Sequence, residues 1–66
     1  MTSIDACIPE WTREVSTFSN GELLKTTEEY VFNFYFLRSE LRKRIYLAWI
    51  KILSAELSKR GLKYAA

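Results

Sequence analysis

Apolar and polar positions recur along this chain at helical rather than strand spacing, and one stretch dominates. Residues 27–60 run for thirty-four positions without Gly or Pro. As a single helix they would measure about 51 Å, too long for the rest of the chain to cover. Thr26, with Glu29 three residues on, makes a capping-box pattern, and Glu28 and Glu29 fall at the positive end of the helix dipole. At the far end, Lys59 and Arg60 precede Gly61 and then Leu62, the pattern of a helix closed by a left-handed glycine with an apolar follower. Glu40 with Arg44, and Glu56 with Arg60, are spaced as helical ion pairs in the favourable order.

Residues 30–37 read Tyr-Val-Phe-Asn-Phe-Tyr-Phe-Leu and also suit a strand, because aromatics and Val favour extended backbone. Asn33 arbitrates. At 100° per residue it shares one arc with Glu40, Arg44, Lys51 and Ser58, which favours a continuous helix. The rest of that wheel is apolar. One stripe holds Tyr30, Phe34, Leu37, Leu41, Ile45, Ala48, Ile52 and Ala55; a second holds Val31, Tyr35, Tyr46, Trp49, Leu53 and Leu57. A third group, Phe32, Phe36, Leu47 and Ile50, drifts toward the polar arc. An ordinary surface helix carries one such stripe, so something beyond the chain's own first helix must cover the surplus.

Upstream, Ile4, Ile8, Trp11, Val15 and Phe18 form one helical stripe. Pro9 suits a first helical position, with Glu10 beside it. The spacing predicts a short helix over about 9–19, stopped by Asn20-Gly21. Residues 21–26 become a connection from which Leu23 and Leu24 tuck under the next helix. The predicted fold is all-α: a short helix at about 9–19 and one long helix at about 27–60, paired as a helical hairpin and completed by dimerisation. It is one small domain over 1–66, with 1–8 and 61–66 as mobile tails.

Size makes the apolar surplus matter. A chain of sixty-six residues is marginal alone. Cys7 is the only cysteine and there is no His, so an intrachain disulfide and the usual zinc sets are excluded. A hydrophobic fraction of 48% argues against disorder. Self-association or a host complex is left as the source of stability. A lone thiol points to a reducing compartment, the cytoplasm. The start, Met-Thr-Ser-Ile-Asp, has no signal-peptide pattern. The longest uninterrupted apolar run, residues 45–50, is too short for a transmembrane helix.

The net charge of +2 hides a division: residues 1–29 carry −4 and residues 30–66 carry +6. Arg38, Arg42, Lys43 and Arg44 cluster around one acid, Glu40. Such a segment can meet phosphate, but a solvated face with local salt bridges is the simpler reading. Contact with a membrane surface is disfavoured, because the bases are not segregated opposite the apolar face. Cys7 has no His to activate it, and the carboxylates are scattered, so no catalytic or cofactor site is expected. The ending Lys63-Tyr64-Ala65-Ala66 resembles the small-residue tails that bacterial energy-dependent proteases recognise; a frayed end is the simpler reading.

These patterns point to a non-catalytic protein–protein interaction module, a small helical regulator acting as inhibitor, adaptor or assembly subunit. Its expected partner interface is Phe32, Phe36, Tyr46, Leu47, Trp49, Ile50 and Leu53, and a homodimer is expected. The alternative is a dimeric nucleic-acid-binding regulator using the basic residues Arg38, Arg42, Lys43 and Arg44. A helix-turn-helix is disfavoured by the absence of a breaker between Thr27 and Arg60. A third reading is a small subunit with no independent fold.

Overall fold

The computed structural model describes residues 4–63. They form three helices: α1 (Ile4–Ser16), α2 (Asn20–Phe34) and α3 (Glu40–Lys59). The all-α expectation holds, but the number of helices does not. The stretch predicted as one helix is divided by a five-residue corner at 35–39.

No Gly or Pro makes that corner. Tyr35 keeps helical angles, and the N–H groups of Phe36 and Leu37 donate to the carbonyls of Asn33 and Phe34, three residues back. This is the tight turn with which helices commonly fray. Ser39 then turns extended and caps α3, its Oγ accepting from the Arg42 N–H at 3.4 Å. The driving force is burial. Folding α2 back along α3 clusters Leu23 with Leu53 and Leu57, which a straight rod would leave wet. The aromatic run 34–36 has only middling helix propensity, so little is lost by stopping there.

The start of α2 also differs from expectation. Asn20 and Gly21 open α2 instead of closing α1. Ser19 is the cap: the Glu22 N–H donates to Ser19 Oγ at 3.2 Å, and the Ser19 N–H donates to a Glu22 carboxylate oxygen at 3.2 Å. This capping box satisfies two orphan donors and displaces the one expected at Thr26 and Glu29. Thr26 and Thr27 lie inside α2; Thr27 is buried and its hydroxyl donates to the Leu23 carbonyl at 2.7 Å.

α1 begins at Ile4, so residues 4–8 of the expected tail are helical, residues 1–3 lie outside the described residues, and Pro9 sits inside the helix. Its ring removes the N–H that would meet the Asp5 carbonyl. The helix continues because the apolar stripe does: Ile8 and Trp11 pack on the core and Val15 is fully buried. At the other end, Gly61 adopts φ +73°. The Gly61 N–H donates to the Ser58 carbonyl at 3.1 Å and the Leu62 N–H to the Leu57 carbonyl at 2.9 Å. This Schellman motif was legible in the sequence. It places residues 61 and 62 in the fold, with Leu62 against the core; the Ala-Ala ending lies outside the described residues.

α3 is the central element and packs against both other helices, which barely meet each other. The core is small: Val15, Leu23, Ile52, Leu53 and Leu57. The molecule is flattened, 34 × 25 × 14 Å, so each helix retains a face with nothing over it.

Candidate partner interface

The seven residues predicted as one interface fall in different places, because the helix meant to align them is broken. Leu53 is wholly buried within the chain. Trp49 and Tyr46 belong to an internal aromatic stack. Trp11 and Trp49 lie with ring centroids 4.9 Å apart and nearly parallel, Tyr30 is 5.7 Å from Trp49, and Tyr46 is 5.0 Å from Tyr30. This stack joins α1, α3 and α2 in turn, and its offset and tilted rings are worth more than their area alone. Burial raises the Tyr30 pKa above its usual value of 10.0, with Tyr46, Glu14 and Glu29 adding to the effect. Ile50 is half-buried. Leu53, Trp49 and Tyr46 therefore hold the chain to itself.

Phe32 and Phe36 are exposed at the corner between α2 and α3, their rings 5.1 Å apart. Tyr35, edge-on to Phe34 at 6.2 Å, and Leu41 in the first turn of α3 lie in or next to the same corner of the chain. Phe32, Tyr35, Phe36 and Leu41 are each 61–77% exposed. Sequence reasoning missed Tyr35 and Leu41. It assigned both to stripes of an unbroken helix, and only the turn of the chain brings them to the corner.

Leu47 lies elsewhere, on a groove between α1 and α3 of about 560 Å³. Ile4, Ile8, Ala48, Ile52 and Ala55 supply its apolar lining, and Arg44, Lys51 and Lys59 edge it. Glu56 also lines it, but its carboxylate is held by Arg60 Nε at 2.8 Å.

The basic cluster splits as well. Arg38, Arg42 and Arg44 are exposed, Arg38 in the corner and the other two on α3. Lys43 is half-covered and its Nζ lies 3.8 Å from Glu40. The predicted pair of Glu40 with Arg44 gives way to this i,i+3 pair, whereas Glu56 with Arg60 forms as expected. Arg60 does more than its spacing announced. Its Nη1 donates to Asn20 Oδ1 at 3.0 Å and its Nη2 to the Ser16 carbonyl at 3.1 Å. One guanidinium thus ties the end of α1 and the start of α2 to the end of α3.

Cys7 is a free, half-buried thiol. Among the described residues no three acidic, thiol or imidazole groups converge as a metal set, and no helix is long and apolar enough to cross a membrane. No known protein family, curated protein or solved structure matches this chain.

Proposed function

We propose that this protein is a non-catalytic interaction module that docks on a larger protein through the aromatic corner between α2 and α3. The observation that carries the reading is the exposure of Phe32, Tyr35, Phe36 and Leu41 within ten residues of chain. Four large apolar side chains held in water at one corner are costly, and such patches mark interaction sites. Aromatic anchors dominate the energetics of protein interfaces. Arg38 and Arg42 beside them supply the polar rim such a site needs. The role fits a small regulator, an inhibitor, adaptor or assembly subunit, working in a reducing compartment such as the cytoplasm, where Cys7 stays a thiol.

The test is affinity purification from the native host with mass spectrometry, comparing the natural chain with Tyr35→Asp and Leu41→Asp. Both positions are exposed, so helix content is expected to persist while a stoichiometric partner is lost. A partner retained by both variants at full yield refutes the corner as the docking site.

A second reading draws on the break at 35–39. The sequence argument against a helix-turn-helix was the lack of a breaker, and that ground is gone. Arg38, Arg42 and Arg44 stand exposed where α3 begins, the place from which a recognition helix meets a duplex. This reading expects duplex binding that weakens steeply with salt. No retardation of duplex DNA or RNA at low salt disposes of it.

A further inference from the structure

Two uncovered surfaces of this molecule carry charges that are unpaired among the described residues and mostly of opposite sign. The first is the groove between α1 and α3, with its floor of Ile4, Ile8, Ala48, Ile52 and Ala55 and its edge of Arg44, Lys51 and Lys59. It opens on the side of α3 turned away from α2, since Tyr46 and Trp49 are the α3 residues that reach Tyr30. The second is the outward face of α2, where Lys25, Glu28, Glu29, Phe32 and Asn33 surround a shallow concavity. All five are exposed, while Leu23 and Thr27 of the same helix are buried.

We propose that the α1–α3 groove of one copy receives the outward α2 face of a second copy, so that the chain assembles head to tail. Charge is the first argument. Arg44, Lys51 and Lys59 have no ion pair among the described residues, and neither do Glu22, Glu28 and Glu29. The opposing charges are fewer: Lys25 is the one cation among the residues of the α2 concavity, and of the groove's acids, Asp5 and Glu56, the latter is bonded to Arg60. Spacing is the second. Arg44 and Lys51 are seven residues apart on α3, as are Glu29 and Glu22 on α2, so both pairs are separated by about 10.5 Å along a helix axis; Glu22 lies one turn before the concavity, and with Oε1 in the capping box it has Oε2 to offer. Two acid–base contacts can form in one register. Apolar surface is the third. Ala48 and Ala55, seven residues apart, line the groove, and Phe32 is exposed on the α2 face as an apolar side chain to set against them.

The two surfaces differ, so the contact is heterologous. Such contacts build open chains or rings and not two-fold dimers. The proposal departs from the homodimer expected from the sequence. The assembly also takes up Phe32, one of the corner residues assigned to a larger partner, so assembly and partner docking compete. It needs only the chain itself and does not rest on the partner reading.

Sedimentation velocity of the purified full chain over a range of concentrations tests the proposal. The expected result is a mean mass that rises past that of a dimer with concentration and falls with salt, as the screening length shrinks from about 10 Å at 0.1 M to about 3 Å at 1 M. Lys51→Glu spoils the groove and Phe32→Asp spoils the α2 face; each alone should weaken association by at least about tenfold. Mixed in equal amounts, the two variants retain one sound groove and one sound α2 face between them. They should form one-to-one dimers and nothing larger. Circular dichroism checks that each variant stays helical, and Glu29→Lys replaces Phe32→Asp if the latter does not. A natural chain that is monomeric throughout, or a closed dimer indifferent to both substitutions, overturns the proposal.

Discussion

Arg60 is the charged residue whose removal should cost this fold most. Its side chain is 20% exposed and its partner Glu56 only 11% exposed. Arg60→Ala deletes three hydrogen bonds, to Glu56 Oε2, Asn20 Oδ1 and the Ser16 carbonyl. Asn20 and Ser16 are exposed and can return to water, so those two bonds contribute little net. Glu56 cannot. Its carboxylate stays nearly covered without its counter-charge. Breaking a fully buried pair costs about 3–5 kcal/mol, and an exposed pair is worth at most about 1. The residual exposure of this pair places the loss at about 2–3 kcal/mol. A single core of this size rarely supplies more than about 3–5 kcal/mol in total, so the variant should sit near its own unfolding midpoint. Urea denaturation followed by circular dichroism reads this directly: with a slope of about 1 kcal/mol/M, the midpoint should fall by about 2 M. A cycle with Glu56→Gln isolates the pair and should return a coupling of at least about 1 kcal/mol. A loss below about 0.5 kcal/mol for Arg60→Ala, the figure for a solvated pair, would refute the reasoning.

Gly61→Ala should destabilise the fold by about 1–2 kcal/mol in the same assay, wholly from backbone strain, because φ is +73° and nothing lies within 4 Å of the added methyl. Trp49→Ala should lower the thermal midpoint of the monomer, with a loss of about 3 kcal/mol or more. Weakened association with an unchanged midpoint would mean that the stack with Trp11 and Tyr30 does not form. Phe36→Asp should leave helicity intact and shift stability by no more than about 0.5 kcal/mol, since the ring is exposed. Tyr30 is neutral in the folded state and its pKa is raised, so its contribution is full below the unfolded value and is lost as pH rises through the folded one. Stability should therefore decline above about pH 10. Tyr30→Phe should flatten that decline, and an unchanged alkaline profile would remove Tyr30 as its cause.

Local chemistry was readable wherever a short-range pattern suffices. Gly61 with Leu62, and Glu56 with Arg60, are satisfied by neighbours within one or two turns, and both formed as the sequence implies. The helical stripe from Ile4 to Phe18 predicted the inward face of α1 for the same reason, although Pro9 drew its start five residues too late. Ser19 with Glu22 was as legible a capping box as Thr26 with Glu29. Asn20-Gly21 obscured it, since that pair suits a helix end as readily as a turn.

The corner at 35–39 was beyond such reading. Its residues contain no breaker, and their local preferences tolerate either a straight helix or a turn. What decides between them is the apolar surface that α2 buries on α3 once the chain reverses, a sum over positions about thirty residues apart, such as Leu23 with Leu53. That reversal then determined everything about the candidate site. It drew Trp49, Tyr46 and Leu53 into the molecule, left Phe32, Tyr35, Phe36 and Leu41 at one exposed corner, and opened a cationic groove on the far side of α3. The sequence by itself determined an all-helical chain with more apolar surface than it can cover. The tertiary structure alone decided which of that surface stays in water, because helix spacing orders residues along one axis while burial depends on where the axes meet.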